Sequence, residues 1–149
     1  MVNRALWIVA AGMAAATVLA FTGSPISRAA DTPAPHNAKK ALKILHADVM
    51  RLARDYKHKR YRAVCSDLTT KELQQLGSMS TCKAKLALVH LLVPVKKFTI
   101  TGAKLAKRNT QGAVSLYLNG NKKHLVHAVA KWEGGRYRVD HMSGWKPKT

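Results

Sequence analysis

Acids and cysteines are scarce in this chain, and most motifs that announce an enzyme are missing. Seven Asp and Glu stand against 26 Lys and Arg, a formal net charge of +19. The only two cysteines, Cys65 and Cys82, are not spaced as C-x-x-C, and two thiolates alone do not make a zinc site. No phosphate-cradling glycine loop, Ser-His-Asp order or metal signature is present, so neither a cofactor nor a metal is expected. There is no internal repeat and no low-complexity tract.

The one long apolar stretch lies at the start. Residues 1–29 read as a secretory signal: Arg4 supplies the positive end and Ala5 to Phe21 an uncharged apolar run. Ser27 and Ala29 place small residues where a signal peptidase cuts, after Ala29. The other reading is an uncleaved anchor, but a spanning helix wants about 20 strongly apolar residues and this run is shorter and alanine-rich. No cysteine follows it, which excludes a lipobox lipid anchor. The expected location is secreted or extracytoplasmic, membrane-anchored if the signal stays on.

Cleavage would leave residues 30–37 as a linker containing Pro33 and Pro35, then a single domain over 38–149, enough chain for one core. Removing Arg4 and Arg28 leaves 24 basic against seven acidic residues, or +17. Such a charge attracts polyanions and anionic surfaces. An exported protein rarely meets nucleic acid, so anionic envelope polymer or lipid headgroups are the expected partners. Solvation alone is the plain alternative.

From Ala38 the apolar positions Ala41, Leu42, Leu45, Val49, Leu52, Ala53 and Tyr56 recur at helical spacing, with Asn37 as N-cap. The basic run Lys57 to Arg60 ends or bends that helix. A second short helix carries Tyr61, Val64, Cys65 and Leu68. Thr69 and Glu72 have the spacing of a capping box, and the short helix they start stops at Gly77. Ser80 or Thr81 is expected to cap a further helix carrying Cys82, Leu86 and Val89, ended by Pro94. Beyond it the period changes. Phe98 and Ile100 alternate with polar residues until Gly102 breaks the run, and Lys104 to Lys107 is a weak strand candidate. Val114, Leu116 and Leu118 share a strand face. Asn119-Gly120-Asn121 signals a hairpin, Leu125 to Trp132 the next strand, and Tyr137 and Val139 the last. Helices first and an antiparallel meander after predict an α+β fold, with the N-terminal helices packed on a curved sheet.

In an exported chain the cysteines are expected to be oxidised to a Cys65–Cys82 disulfide joining the second helix to the fourth. Closing such a loop stabilises by roughly 3 kcal/mol in the chain-entropy picture.

The pattern Tyr61-x3-Cys65-x2-Leu68-Thr69, Cys82, Phe98-x-Ile100, Val114-x-Leu116 and Trp132-x-x-Gly135-x-Tyr137-x-Val139-Asp140 resembles small exported bacterial proteins of the nuclear transport factor two-like (cystatin-like cone, polyketide-cyclase and lumazine-binding-like) superfamily, many of them described only as lipoproteins or uncharacterised. The resemblance runs from Ala38 to about Met142. It implies a cone of helices on a strongly curved sheet around a pocket, lying between the first helix and the concave sheet. It brings no single activity, because that superfamily holds isomerases, cyclases and dehydratases as well as non-catalytic modules.

Acidic candidates for catalysis are few. Asp48, Asp55, Asp67 and Glu72 read as exposed-helix or capping positions, Asp31 as linker and Glu133 as turn. Asp140, at the end of the last strand beside His141, is the best remaining acid; its plain reading is a surface residue paired with a cation. His127 shares a strand face with Leu125 and Val129 and is placed to line a pocket; a structural histidine is the commoner case. His124 lies three positions away, on the other face, which makes a poor metal pair. His46 and His90 sit on helices within reach of the core. Trp132, Tyr137 and Trp145 fall among Lys131, Arg136, Arg138 and Lys146, with Trp145 the most exposed. Lys57, Lys59, Arg60, Arg62, Arg136 and Arg138 are the candidate anion contacts. The leading expectation is a non-enzymatic, strongly basic binding module of the bacterial cell envelope. A small isomerase- or cyclase-type enzyme using Asp140 or His127 is the alternative. A small-molecule ligand and a homodimer packed sheet to sheet fit either.

Overall fold

The computed structural model describes residues 32–143. The signal segment, Asp31, Trp145 and Lys146 lie outside the described residues. Four helices come first, α1 (Ala38–Lys57), α2 (Tyr61–Ser66), α3 (Thr70–Leu76) and α4 (Met79–Leu92). Four strands follow, β1 (Phe98–Ala106), β2 (Gln111–Leu118), β3 (Asn121–Glu133) and β4 (Arg136–Ser143). They form one antiparallel sheet in the order β1-β2-β3-β4. This is the expected α+β arrangement, with helices on a curved sheet that stays open rather than closing.

The main core joins α1 to the sheet. Leu45 and Val49 pack on Val114, Leu116, Val126, Ala130 and Tyr137. Gly112 of β2 makes this approach feasible: a Cβ there would stand 2.4 Å from Leu45 Cδ2. The space between the first helix and the sheet is therefore filled by side chains. At the place where the pocket was expected, Leu45 and Val49 occupy the middle of the gap, flanked by the buried Ala41 and Ala53. A second core cluster gathers Cys65, Leu68, Leu73, Cys82 and Val139 under the short helices. It contains the Cys65–Cys82 disulfide.

Local chemistry explains most element ends. Asn37 accepts from the Lys40 amide and starts α1. Thr69 accepts from the Glu72 amide, but the reciprocal half of the capping box is missing. The Thr69 amide donates to the Val139 carbonyl instead, and Val139 N donates to Asp67 O. Through these bonds the α2–α3 loop covers the free edge of β4. Helix α4 begins earlier than its sequence suggests, with Ser78 accepting from the Thr81 amide. At the β2–β3 turn Asn119 (φ 56°) and Gly120 (φ 72°) both adopt left-handed backbone, as a two-residue hairpin of the I′ type requires.

Gly102 does not end its strand. The register shifts between Ile100 and Gly102, so β1 absorbs one extra residue as a bulge and continues to Ala106. A second shift lies between Val129 and Ala130, whose partners on β4 are His141 and Val139. Asp140 is the unpaired residue between them, and β4 runs past it to Ser143. The linker is anchored too. Asn109 Nδ2 donates to the carbonyls of Pro35 and His36, and Trp132 Nε1 donates to the Thr32 carbonyl.

Candidate functional site

Lys59, Arg60 and Arg62 meet at the turn between α1 and α2. The chain leaves α1 through a Schellman closure, with Lys59 N donating to Tyr56 O and Arg60 N to Asp55 O. The residue at its left-handed position is Lys59, with φ 60°. Glycine usually fills that place, because a Cβ there crowds the backbone. Two residues later α2 begins, and its first turn turns Arg62 outward. Cys65 at its far end is bonded to Cys82, the residue before Lys83. The disulfide thus sets Lys83 of α4 against α2.

The result is a cleft of about 500 Å³ lined by Lys59, Arg60, Tyr61, Arg62, Ser66 and Lys83. Among its cations Arg60 pairs with Asp55, Nη1 to Oδ1 at 3.3 Å. Lys59, Arg62 and Lys83 make no ion pair among the described residues. Tyr61 forms one wall, edge-on to His90 of α4 at 5.9 Å, and His90 stacks on Tyr56 at 4.6 Å. His90 Nδ1 is buried without a hydrogen-bond partner among the described residues. Burial, and secondarily the Lys59 charge, holds the His90 pKa below the ordinary imidazole value. Burial, helped by Tyr61, pushes the Tyr56 phenol up to about 12.

Of the six expected anion contacts, the structure brings Lys59, Arg60 and Arg62 into this cleft. Lys57 is exposed nearby at the end of α1 but does not line it. Arg136 and Arg138 are elsewhere and are occupied. Arg136 Nη1 pairs with Asp67 at 3.0 Å. Arg138 is buried and donates to the carbonyls of Glu133 and Ser66. Lys83 escaped sequence reasoning, because the disulfide and the packing of α4 on α2 that bring it here are tertiary.

The acids also differ from their sequence reading. Asp48, Asp55 and Asp67 are buried, not exposed. Asp48 accepts from the Tyr137 amide at 2.8 Å and pairs with Arg51 at 2.9 Å. Asp67 is bracketed by Arg51 Nε and Nη2, at 3.2 and 3.3 Å, and by Arg136. Burial opposes the charge on Arg51, but hydrogen bonds and charge from Asp67 outweigh it and raise its pKa. The signal was in the spacing: Asp48 and Asp55 continue the stripe Ala41, Leu45, Leu52 at steps of three and four. Glu133 is not a free turn residue either, since it accepts from Thr70 N and Oγ1 at the start of α3.

His127 faces away from the core. Val126, Ala128 and Ala130 point inward, while His127 is exposed with Nδ1 2.9 Å from Ser115 Oγ. Alternation was read correctly, but the wrong face was chosen for the pocket. His46 is exposed. Asp140 lies in a smaller cavity of about 220 Å³ with Lys71, Glu72, Gln75 and His141. Burial raises its pKa, but Lys131 at 3.0 Å, His141 and Thr69 together overcome that and lower it. Burial, then the Asp140 charge, pushes Glu72 upward. Among the described residues no group of three or more His, Cys, Asp or Glu is placed to hold a metal ion. No helix among them is long and apolar enough to cross a membrane. Compared with known proteins, the chain matches no family model and no curated protein.

Proposed function

We propose that this protein is an exported, non-enzymatic module that holds phosphate-type anions of the cell envelope, on polymer or lipid headgroups, in the Lys59–Arg62–Lys83 cleft. One observation supports the reading: a lysine occupies the left-handed position of the Schellman turn, where glycine would be easier, and it lines an open cleft with Arg62 and Lys83, none of the three in an ion pair among the described residues. Strained backbone held in place argues for a role of the side chain it positions. Three nearby cations without counter-charge repel one another and bind an anion more strongly for it. Tyr61 adds a flat apolar wall, and the overall charge draws anionic surfaces from a distance.

The test is co-sedimentation with anionic and neutral vesicles and with purified cell wall, at low and high salt. Binding to anionic material that falls steeply with salt is expected. Lys59→Gln/Arg62→Gln/Lys83→Gln should lose most of it while folding normally. Equal binding by that variant, or no binding at low salt, would overturn the reading.

A second reading rests on the Asp140 cavity, where neighbouring carboxyls are driven in opposite directions, Glu72 upward and Asp140 downward. That divergence is how one site obtains both an acid and a base. The small isomerase- or cyclase-type enzyme would then use Asp140 and Glu72 rather than His127. Turnover abolished by both Asp140→Asn and Glu72→Gln would favour it over the binding module.

A further inference from the structure

Charge is distributed unevenly along the chain. Between Glu72 and Glu133 there is no acidic residue, while residues 73–132 hold ten Lys and Arg. That span includes α4, β1, β2 and nearly all of β3.

Within it lie the exposed large apolar side chains found among the described residues. Leu88, Leu91 and Leu92 are 59%, 80% and 63% exposed. Their spacing, i, i+3 and i+4, puts them on one stripe of α4. The opposite stripe, Cys82, Leu86 and Val93, packs inward. Helix α4 is thus apolar on both sides near its end, where a surface helix is normally polar outside.

Lysines follow that stripe in the chain and flank the turn tied to it. Lys96 and Lys97 follow α4 after the three residues Val93 to Val95 and are exposed. Asn119 ties the β2–β3 turn to the same place, its Nδ2 donating to Pro94 O and its Oδ1 accepting from the Lys96 and Lys97 amides. Lys122 and Lys123, exposed just past that turn, join them. None of the four makes an ion pair among the described residues.

We propose that the Leu88–Leu91–Leu92 stripe inserts into the headgroup layer of an anionic bilayer while Lys96, Lys97, Lys122 and Lys123 contact its headgroups. The inference rests on the envelope reading above for its anionic surface, but on a different part of the molecule. Apolar residues ringed by lysine are what an interfacial helix presents to such a membrane. Two other occupants fit less well. A second copy would bring two acid-free, lysine-rich faces together without compensation. The chain before Thr32 contains the signal segment, which the envelope reading removes on export.

The experiment compares partitioning onto vesicles of phosphatidylcholine with and without phosphatidylglycerol. It uses the full chain and the chain from residue 30, which keeps every residue of both core clusters. Leu88→Gln/Leu91→Gln/Leu92→Gln should weaken binding to phosphatidylglycerol vesicles roughly tenfold or more with an unchanged melting temperature. Leu91→Trp should be quenched by brominated lipid. Lys96→Gln/Lys97→Gln/Lys122→Gln/Lys123→Gln should flatten the salt dependence. Unchanged binding by the triple glutamine variant, or unquenched Trp at position 91, would overturn the proposal. So would a dimer in sedimentation that this variant abolishes while vesicle binding persists, or a full chain in which position 91 is shielded before lipid is added. The cleft variant separates the two ideas: its failure to affect polymer binding sinks the cleft and leaves the leucine stripe standing.

Discussion

Helices α1 and α4 are the two longest among the described residues and are used in opposite ways. In α1 nearly every inward position is committed. Ala41, Leu45, Val49 and Ala53 are buried, and its two inward acids are met by arginines or a backbone amide. In α4 only Cys82 is fully buried, and three leucines face outward. The acids follow the same division. All six described ones lie on α1, the α2–α3 segment or the β3–β4 end, where each described carboxylate of the buried set has a cation beside it. A helix whose partners are all inside the fold builds the structure. One that leaves leucines and lysines exposed is where the proposed membrane contact would lie.

The sharpest way to break this division is to cut the bond that attaches α4. Cys65→Ser/Cys82→Ser should cost about 3 kcal/mol and lower the melting temperature by roughly 10 °C or more. It should also weaken anion binding at the cleft, because Lys83 is then no longer held against α2. Thermal unfolding with and without reductant checks the first effect, and titration with inorganic phosphate the second. Loss of stability with unchanged phosphate binding would show that Lys83 contributes nothing.

On the committed side, Asp67→Ala leaves Arg136 without its counter-charge and Arg51 with Asp48 alone. Both guanidiniums are partly exposed, so the cost should fall near or below the low end for a broken buried pair, about 2–3 kcal/mol. Urea unfolding measures it. Next comes Gly112→Ala, which forces a methyl into Leu45 and should cost about 1–3 kcal/mol. Combined with Leu45→Ala the two losses should not add, because the smaller side chain vacates the space the methyl needs.

These residues show what sequence alone could convey. The helix order, the strand faces of Val114, Leu116 and Leu118, the Asn119-Gly120 turn, the Asn37 and Thr69 caps and the disulfide were all legible, since each depends on local spacing or on residue chemistry. What depends on three-dimensional packing was not. Bulges add a residue without disturbing composition, so β1 appeared to stop at Gly102 and Asp140 to end its strand. The pocket was placed under α1, where Leu45 and Gly112 in fact close the gap. Three of the four cations that line the cleft were visible as the run Lys59 to Arg62. The fourth, Lys83, comes 24 positions after Lys59 and reaches it through the cystine and the packing of α4 on α2.

Lys59→Gly tests the contested turn between the two regions. Relief of the left-handed backbone should stabilise the fold by about 0.5–1 kcal/mol. The same change should weaken phosphate binding, so stability and affinity would move in opposite directions. A variant that gains both would show that the lysine is there for no ligand.

The smallest effect lies at His90, where the two helices touch, and is seen as a slope with pH. Its pKa is depressed in the folded protein by burial and by Lys59, with Tyr56 and Tyr61 as the other groups against the ring. The unfolded chain therefore takes up a proton first. As pH falls below about 6.5 the His90 contribution to stability should decline, and it should level off below the folded pKa. At pH 8 neither state is protonated there and the term vanishes. His90→Phe keeps the stack on Tyr56 and removes both the unpartnered Nδ1 and the titration. Urea midpoints at pH 8 and pH 5 should accordingly differ less in this variant than in the unsubstituted protein. An equal difference would mean that the ring is charged as easily folded as unfolded, and that the contact between α1 and α4 is open to water.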